Sequence, residues 1–284
     1  MSTIENLLVV KIGGGEGLDV DRCVRDLAAI AATRPLVVVH GVSAAMNALC
    51  AERGIPVRTI TSPTGHSSRY TDPQTRDVFV EAANNVNADL VSRFSALGIK
   101  AVGLTGDQAV LKGERKTAIR ALVDGRIRMI RDDYSGTIEG VEVSSLTAIL
   151  SEHGAPHLPP LSDLPYGQRT PVIPPYVASA DGLLNVDGDR ASASIAGALH
   201  AEELVILSNV RGLYRSFPDE STFISHIDRR DLDRAAEWAQ GRMKRKVLGA
   251  QEALDGGVRR VIIADGRTDN PVTQALAGAG TEFL

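Results

Sequence analysis

The feature that most constrains the fold is a local pattern that occurs twice near the start of the chain. A short apolar run ends in a glycine turn, and a helical segment follows. The first run is Leu7–Ile12, which ends in the glycine-rich turn 13–17, and the second is Leu36–His40, which ends at Gly41. Continuous apolar runs of this kind are typical of parallel strands that are buried on both faces. Two such units predict βαβ connections, so we expect an α/β fold with a parallel central sheet.

Similar patterns continue along the chain. Periodic apolar residues predict helices at 19–32, 44–53, 74–97, 144–152, 191–199 and from the Gly241 turn to Leu254. Apolar runs predict further strands at 99–103, 203–207 and 259–264. The segment 57–70 is rich in Thr, Ser, Pro and Gly, and we expect it to be irregular. Pro174-Pro175 indicates a seam between two lobes, residues 1–175 and 176–284.

Composition and charge exclude several classes of protein. The 284 residues carry a net charge of −4, which gives no overall attraction to nucleic acid or to anionic membranes. No apolar run approaches the ~20 residues of a membrane span. The first residues lack the basic start and the cleavage site of a signal peptide. Cys23 and Cys50 have no motif spacing and are predicted to be reduced core residues. We therefore expect a cytoplasmic protein.

Two lysines indicate an anion site. Lys11 lies in the first apolar run, where an ammonium group is costly to bury unless it meets an anion. The glycines that follow let backbone N–H groups approach such an anion, although no Gly-Lys-Ser/Thr follows and the turn is not a Walker loop. Lys246 stands in the first turn of a predicted helix, and helix N-termini attract phosphates.

Carboxylates crowd another predicted strand-to-helix turn. Asn185, Asp187 and Asp189 lie between the apolar pair Leu183-Leu184 and a helical segment that begins at Ala191. In open α/β sheets, ligands collect at the carboxyl ends of strands. Helix capping alone would explain these residues. The two distant lysines favour a functional role instead.

Several kinds of catalytic group are missing from the sequence. We find no nucleophile elbow and no set of metal ligands, and His153 and His157 are flanked by prolines and are treated as loop residues. His40 is predicted to pack beneath the Gly41 turn, and Trp238 is predicted to lie in the core. Two interpretations of Arg69 are about equally consistent with the sequence. Its guanidinium either binds a carboxylate through a pair of hydrogen bonds or lies in solvent on the surface. What remains fits phosphoryl transfer, and a carboxylate acceptor would need no general base because it is already ionised at neutral pH.

One segment is strongly basic. Residues 112–131 carry a net charge of +5, so the remaining residues sum to −9. The segments 118–123 and 126–130 flank Asp124-Gly125 and predict a projecting β-hairpin. A solvated ribbon is the usual explanation, but this concentration of charge suggests an acidic partner. We name Lys112, Arg115, Lys116, Arg120, Arg126, Arg128 and Arg131 the basic strip.

Six motifs occur in the order found in the amino acid kinase family. They are Lys11-Ile12-Gly13-Gly14, His40-Gly41, Arg69 before Thr71-Asp72, Asn185-x-Asp187-x-Asp189, Asn209-Val210-x-Gly212 and Gly241-x-Met243-x-x-Lys246. The chain resembles the acetylglutamate kinase branch of that family over nearly its whole length. The resemblance implies a three-layer αβα sandwich with an open, mainly parallel, eight-stranded sheet, usually as a homodimer. It also implies an N-terminal lobe for a carboxylate substrate and a C-terminal lobe for ATP with Mg²⁺.

The resemblance assigns roles to the motif residues. Lys11 and Lys246 are expected to stabilise the transition state, and Asp189 to organise them. The residues implied to border the substrate are Gly41, Val42, Arg69 and Asn185. Those implied to hold ATP are Gly13, Gly14, Asn209, Gly212, Tyr214, Gly241 and Met243.

Departures from the acetylglutamate kinase pattern refine the expectation. Val42, Asp187 and Asn209 replace a Gly, an Asn and an Asp that are usual in that branch. The strings 67–72 and 185–190 and the basic hairpin resemble the family members that phosphorylate 2-aminoadipate bound through its amino group to a small acidic carrier protein. That carrier would be the acidic partner of the basic strip. The alternatives are an acetylglutamate kinase, an enzyme that also accepts carrier-bound glutamate, and a nucleotide-sensing protein without turnover.

Overall fold

The computed structural model describes residues 4–63, 65, 67–123, 126–151 and 169–284. Within these ranges the α-helices are α1 (Val20–Ala31), α2 (Ser43–Glu52), α3 (Pro73–Ala96), α4 (Val143–Leu150), α5 (Gly188–Ala198), α6 (Leu232–Trp238), α7 (Met243–Asp255) and α8 (Pro271–Leu276). The strands are β1 (Leu8–Ile12), β2 (Leu36–His40), β3 (Thr59–Thr61), β4 (Ser67–Arg69), β5 (Ala101–Gly103), β6 (Leu111–Arg115), β7 (Ile119–Val123), β8 (Arg126–Ile130), β9 (Gly136–Val141), β10 (Thr170–Ile173), β11 (Tyr176–Ser179), β12 (Gly182–Asn185), β13 (Glu203–Ser208), β14 (Leu213–Tyr214), β15 (Phe223–Ile224), β16 (His226–Ile227), β17 (Arg260–Asp265) and β18 (Thr281–Phe283).

Eight strands form the main sheet, in the order β16-β18-β17-β13-β1-β2-β10-β5. Neighbouring strands run parallel except for the pair β17 and β18. The apolar runs of β1, β2, β13 and β17 are almost entirely buried, as parallel strands covered on both faces require. The predicted mainly parallel α/β sheet is therefore confirmed.

Side-chain alternation along the strands builds the two outer layers. In β1, Leu8 and Val10 face a core that also contains residues of α1, α3 and α8. Val9 faces the opposite core, formed with residues of α4, α5, α6 and α7. Because successive side chains of a strand point to opposite faces, one strand serves both cores. The result is the predicted three-layer αβα sandwich.

Two smaller four-stranded sheets lie beside the main sheet. One has the order β12-β11-β6-β9, and the other has the order β4-β3-β7-β8. The predicted basic hairpin is confirmed as β7 and β8, which pair antiparallel. The expectation of an irregular segment 57–70 was wrong, because β3 and β4 form an antiparallel hairpin that extends this basic ribbon. Its Ser, Pro and Gly content hid the strands, which are stabilised by the pairing of β3 with β4 and β7 rather than by local propensity.

Most predicted helix boundaries agree with the structure to within one or two residues. Residue 152, His153 and His157 lie outside the described residues. Cys23 and Cys50 are buried free thiols, as predicted. No helix in the described ranges has the length and apolar character needed to cross a membrane. The main sheet is continuous between β1 and β13, and the lobe boundary at residue 175 stays a prediction.

Candidate active site

Lys11, Asp189 and Lys246 meet at the carboxyl end of the main sheet. The Nζ of Lys11 lies 2.8 Å from Oδ1 of Asp189. The Nζ of Lys246 lies 3.2 Å from Oδ1 and 3.0 Å from Oδ2 of the same carboxylate. The side chains are only 8–11% exposed. The structure therefore brings together the three residues that the sequence predicted to be catalytic, and we call them the Lys–Asp–Lys trio.

Local geometry explains why these three side chains converge. Lys11 is two residues after Val9 in β1, so it points to the face that α5 covers. Asp189 lies in the first turn of α5, whose N-cap is Asp187. Lys246 lies in the first turn of α7, and Gly249 one turn later packs against the backbone of Asp189. A strand end and two helix N-termini thus meet at one point.

The trio has more positive than negative charge. Burial alone would raise the pKa of Asp189, but the ammonium groups of Lys11 and Lys246 outweigh it and hold that pKa well below its ordinary value. Burial lowers the pKa of Lys246, although the carboxylate of Asp189 opposes this shift. With all three groups ionised, the net charge is +1. A buried excess cation of this kind is favourable for binding an anion such as a phosphoryl group.

Two glycine turns touch beside the trio. The carbonyl of Gly14 accepts a hydrogen bond of 2.7 Å from the backbone N–H of Ala44. A Cβ at Gly14 would lie 2.3 Å from the backbone carbonyl carbon of Gly41, and a Cβ at Gly41 would lie 2.4 Å from the nitrogen of Gly14. Only glycine permits this approach. The turn that follows Lys11 is therefore packed against the turn that begins at Gly41.

His40 is buried beneath the Gly41 turn, as predicted. The amide Nδ2 of Asn87 lies 3.2 Å from His40 Nε2 and also donates to the carbonyl of Val172. Since that amide nitrogen can only donate, Nε2 accepts and the ring proton lies on Nδ1, 3.4 Å from the carbonyl oxygen of Gly41. Burial lowers the pKa of His40 to about 4. His40 therefore stays neutral and supports the turn.

Arg69 ends β4 and is half-buried. Its Nη2 donates a hydrogen bond of 2.7 Å to Oδ1 of Asn47. Its Nη1 is buried and has no hydrogen-bond partner among the described residues. Burial lowers the pKa of Arg69, but a guanidinium remains charged at any physiological pH. An unpaired buried guanidinium nitrogen is suited to a carboxylate that the protein does not supply.

Asn185 and Val42 lie at the same end of the sheet. The amide of Asn185 donates a hydrogen bond of 3.1 Å to the hydroxyl of Thr71, two residues beyond Arg69. The backbone N–H of Thr71 is in turn held by the buried carboxylate of Asp133 at 2.8 Å. Val42 precedes α2 and is buried. The structure thus links Asn185 to the segment that carries Arg69.

A cavity of about 170 Å³ extends from the end of β13 to Lys246. Asn209, Gly212, Tyr214 and Met243, all predicted to bind ATP, line it. Gly241 lies in the turn that connects α6 to α7, between two lining residues. Gly13 packs instead against the carbonyl of Leu207 at the end of β13. Four of the seven predicted nucleotide residues therefore line a cavity that reaches Lys246 of the trio, and Gly241 lies beside it, whereas Gly13 and Gly14 are not among the lining residues.

Sequence reasoning missed two aromatic residues at this cavity. Phe217 is 50% exposed and its ring lies edge-on to Tyr214 at 5.5 Å. Trp238 also lines the cavity and is only partly buried, with the guanidinium of Arg215 over its ring at 5.4 Å. The prediction that Trp238 is a core residue was therefore incomplete, because one side of it faces the cavity. The available signal in the sequence was Phe217, an aromatic residue soon after the 209–214 loop.

The basic strip divides into two kinds of residue. Arg115 lies over the ring of Tyr134 and donates to the carbonyls of Asp133 at 2.9 Å and Arg131 at 2.7 Å, so it is held within the protein. The exposed members are Lys112, Lys116, Arg120, Arg126, Arg128 and Arg131.

Among the described residues, no group of three or more His, Cys, Asp or Glu side chains is placed to hold a metal ion.

Comparisons with known proteins agree with this geometry. The model of the amino acid kinase family matches residues 6–265. The [LysW]-aminoadipate kinase of Deinococcus radiodurans is 42% identical over 98% of this chain and 91% of its own length. The enzyme of the same name from Thermus thermophilus is 39% identical over 97% of this chain and 99% of its own length.

The fold is also found in solved structures. The N-acetylglutamate synthase of Neisseria gonorrhoeae, in complex with coenzyme A and N-acetyl-glutamate, has a TM-score of 0.74 and 26% identity to this chain. The similarity covers 98% of this chain and 59% of the synthase, so the chain spans less than two thirds of that protein. From the match to the family model and the two relatives, the chain belongs to the amino acid kinase family.

Proposed function

We propose that this protein is an ATP-dependent kinase of lysine biosynthesis. Its acceptor is the side-chain carboxylate of 2-aminoadipate, whose amino group is bound to a small acidic carrier protein of the LysW type. The observation that carries the proposal is that the ammonium groups of Lys11 and Lys246 both bind the carboxylate of Asp189, at the end of the cavity proposed to hold the nucleotide. The names of two relatives, at 42% and 39% identity, support the acceptor and the carrier.

The proposed reaction transfers the γ-phosphoryl group of ATP. An oxygen of the acceptor carboxylate attacks the γ-phosphorus, the bond to ADP breaks, and an acyl phosphate and ADP are formed. A free carboxyl group has a pKa of about 4.3, so the acceptor is ionised at neutral pH and needs no general base. Lys11 and Lys246 neutralise the charge on the migrating phosphoryl group, and Asp189 holds both ammonium groups in place.

The remaining site residues bind and orient the two substrates. The unpaired Nη1 of Arg69 takes the α-carboxylate of the acceptor, and Asn185 contacts its amide end. Gly41 and Val42 border the acceptor, while backbone N–H groups of the turn at Gly13 and Gly14 hold the γ-phosphate. The ATP-binding residues of the cavity are Asn209, Gly212, Tyr214, Gly241 and Met243.

Magnesium is the expected companion of ATP, and it neutralises part of the phosphate charge when bound. Both carboxylate oxygens of Asp189 already accept from ammonium groups. The donor set therefore fits a Mg²⁺ ion that is held mainly by phosphate oxygens. In this protein, positive side chains rather than extra carboxylates balance the charge of the nucleotide.

The proposal extends to organisation and assembly. Residues 1–175 form the acceptor lobe and the contact of a homodimer, and residues 176–284 form the ATP lobe. The buried free thiols fit a reducing cytoplasm. Sedimentation in solution tests the dimer.

The basic strip is the proposed docking surface for the acidic carrier. Lys116 connects the strip to the active-site mouth. The backbone N–H of Lys116 donates a hydrogen bond of 3.0 Å to the carbonyl of Ser135, and Ser135 forms a β-bridge with Asn185. A carrier bound to the strip would therefore lie beside the entrance through which its attached substrate must reach Arg69.

Apolar side chains on the same ribbon support a protein partner. Leu122, Ile127 and Met129 are 43–51% exposed. Leu122 lies opposite Ile127, and Arg120 lies opposite Met129, so these four side chains share one face of β7 and β8. Exposed apolar side chains rimmed by charge are typical of interaction sites.

Turnover with three acceptors tests the proposed function. The enzyme is incubated with ATP, Mg²⁺ and hydroxylamine, which traps an acyl phosphate as a hydroxamate, and the acceptors are carrier-bound aminoadipate, carrier-bound glutamate and free acetylglutamate. We expect the highest kcat/KM with carrier-bound aminoadipate. Preference for free acetylglutamate would instead make the protein an acetylglutamate kinase. No hydroxamate with any acceptor would favour a nucleotide-sensing protein.

A charge-matched pair of triple variants tests the docking surface. One variant changes Arg120, Arg126 and Arg128 to Gln. The control changes Arg230, Arg234 and Arg259, which are 71–83% exposed and lie outside the strip. We expect the first variant to raise the KM for the carrier-bound acceptor about tenfold at low salt and less at high salt. Equal KM values for both variants would exclude the strip as the docking surface.

A further inference from the structure

Arg245 contacts two segments that lie outside its own helix. It precedes Lys246 in α7. Its Nη1 lies 3.2 Å from Oδ2 of Asp187, and its Nη2 donates a hydrogen bond to the backbone carbonyl of Ser67. The side chain is 33% exposed, so the guanidinium sits in a partly desolvated position rather than in bulk water.

Each contact lies close to a residue of the proposed site. Asp187 is two residues before Asp189, and its Oδ1 caps α5 by accepting from the backbone N–H groups of Asp189 at 3.0 Å and Arg190 at 3.1 Å. Ser67 begins β4, the strand that ends at Arg69. One guanidinium therefore joins the segments that carry Lys246, Asp189 and Arg69.

The hairpin of β3 and β4 lies at the edge of its sheet. β4 is the edge strand of its sheet and pairs with β3. β3 in turn pairs with β7 at Thr61 and Leu122. An edge strand held on one side opens more easily than a strand paired on both sides. A contact from α7 to β4 therefore adds to the contact with Asn47 in fixing the position of Arg69.

The chemistry of arginine suits this bridge. A guanidinium has donors on separate nitrogens in a fixed plane, so it can bind a carboxylate and a carbonyl from different segments at once. Asp187 uses one oxygen for the helix cap and the other for Arg245, so the bridge and the cap are formed by the same carboxylate. A lysine at this position would keep the charge but lose the pair of guanidinium nitrogens that donate to two segments at once, which we call the fork.

We propose that Arg245 is a positioning residue that clasps the β3–β4 hairpin to the N-termini of α5 and α7. The clasp sets the position of the carboxylate-binding Arg69 relative to the Lys–Asp–Lys trio. Because α7 borders the nucleotide cavity, a ligand in that cavity stabilises the closed hairpin through Arg245. The identity of the two ligands rests on the proposed function, whereas the clasp itself rests on the contacts of Arg245.

Amide hydrogen exchange without ligand tests the clasp directly. The amides of Thr59–Thr61 and Ser67–Arg69 are followed in the wild type, in Arg245→Met and in Arg190→Met. Arg190 is the matched control because it is a neighbouring arginine that pairs with Glu252 and does not bond Ser67. We expect exchange of these amides to be about tenfold faster in Arg245→Met and unchanged in Arg190→Met. Exchange at the wild-type rate in Arg245→Met would overturn the clasp.

A second arm adds the non-hydrolysable ATP analogue AMP-PNP with Mg²⁺. We expect the analogue to slow exchange of the hairpin amides in the wild type and in Arg190→Met, but not in Arg245→Met. Binding of the analogue to the wild type without any effect on the hairpin would contradict the coupling. If the analogue does not bind the wild type, the proposed function fails, and the ligand-free comparison still decides the clasp.

Kinetics give a readout that a purely structural role would not change. The coupling free energy between two ligands is reciprocal: each raises the affinity for the other by the same factor. Loss of the clasp should therefore remove the effect of nucleotide on acceptor affinity and of acceptor on nucleotide affinity. We expect Arg245→Met to raise the KM for the acceptor at least fivefold with a smaller effect on the affinity for AMP-PNP alone. Arg245→Lys, which keeps the charge and serves if the Met variant is unstable, should recover less than half of the lost kcat/KM. Full recovery by lysine would overturn the role of the fork.

Discussion

The two ends of the main sheet both carry ionic networks, buried at the carboxyl end and partly buried at the amino end, and the two networks differ in net charge. At the carboxyl end, two ammonium groups share the single carboxylate of Asp189. At the amino end, Arg34 and Arg260 both bind Glu203, at 2.8 and 2.9 Å, and Arg260 also binds Glu282. Two cations therefore meet two anions at the amino end, whereas two cations meet one anion at the carboxyl end.

This difference separates a structural network from a site. A network with equal numbers of cations and anions has no excess charge to neutralise, so it can hold strands together without any ligand. Although burial lowers the pKa of Arg260, its hydrogen bonds with Glu203 and Glu282 outweigh burial and raise that pKa above its ordinary value. The unbalanced trio is completed only when an anion joins it. We infer that excess positive charge, rather than the presence of an ionic network as such, distinguishes the proposed active site from the network at the amino end.

The largest expected effect comes from removing one ammonium group of the trio. We expect Lys246→Ala or Lys11→Ala to lower kcat about a hundredfold or more, because preorganised charge stabilises the transition state on this scale. The ion pair that remains is balanced, so the free energy of unfolding should change little. Steady-state kinetics and urea unfolding measure the two quantities. Normal turnover in either variant would remove that residue from the site.

The second-largest expected effect is on stability and concerns the buried, neutral ring of His40. His40 has a pKa of about 4 in the folded protein and an ordinary value of 6.5 when exposed. Between these values the unfolded chain binds a proton that the folded protein does not, so stability is lost as the pH falls from 6.5 to 4. Linkage puts the loss at about 3 kcal/mol.

The variant His40→Gln isolates this contribution, because glutamine keeps polar atoms at the position but does not titrate. We expect the urea-unfolding free energy of the wild type to fall more steeply than that of the variant between pH 6.5 and pH 4. The two curves should run parallel below pH 4. Parallel curves over the whole range would show that His40 can be protonated in the folded state.

At the amino end we expect the opposite pattern of effects. Glu203→Gln leaves Arg34 and Arg260 with one carboxylate fewer and should destabilise the protein by about 2 kcal/mol. This is below the cost for a fully buried pair, because the side chains retain 12–23% exposure. The value of kcat should stay within twofold of the wild type. Loss of turnover at normal stability would mean that this network is not merely structural.

The sequence allowed the trio to be predicted because each member carries a local signal. Lys11 interrupts an apolar strand, Asp189 follows a helix cap, and Lys246 opens a helix. Each signal depends on neighbours in the sequence, so periodicity and helix-end chemistry reveal it. The main sheet was predictable for the same reason, since long apolar runs were already present.

Other features depend on residues that are distant in the sequence. Arg245 reaches a carbonyl 178 residues away, and nothing in its local sequence indicates that contact. Phe217 and Trp238 come from separate segments and meet only at the cavity. The hairpin of β3 and β4 has little apolar alternation, so its strands become evident only in the folded protein, where β3 pairs with both β4 and β7. Tertiary context, which decides such pairings, is not readable from a single sequence.

The smallest expected effect tests how closely the carboxyl end must be packed. A Cβ at Gly249 would lie 3.1 Å from the carbonyl oxygen of Asp189 and 3.2 Å from its carbonyl carbon. Gly249→Ala should therefore displace α7 from α5 by a few tenths of an ångström and loosen the 3.0 Å contact between Lys246 and Asp189.

We expect Gly249→Ala to reduce kcat about tenfold, since misplacement by a full ångström can cost about a hundredfold. The matched control is Gly256→Ala, whose Cβ would lie 3.0 Å from the Cα of Gly197 at the far end of the same helix pair. That variant should lose stability while its kcat stays near the wild-type value. If both variants lost turnover equally, general loosening of the helix pair would explain the effect. A loss confined to Gly249→Ala would show that the unbalanced end depends on the position of α7 in a way that the rest of the helix pair does not.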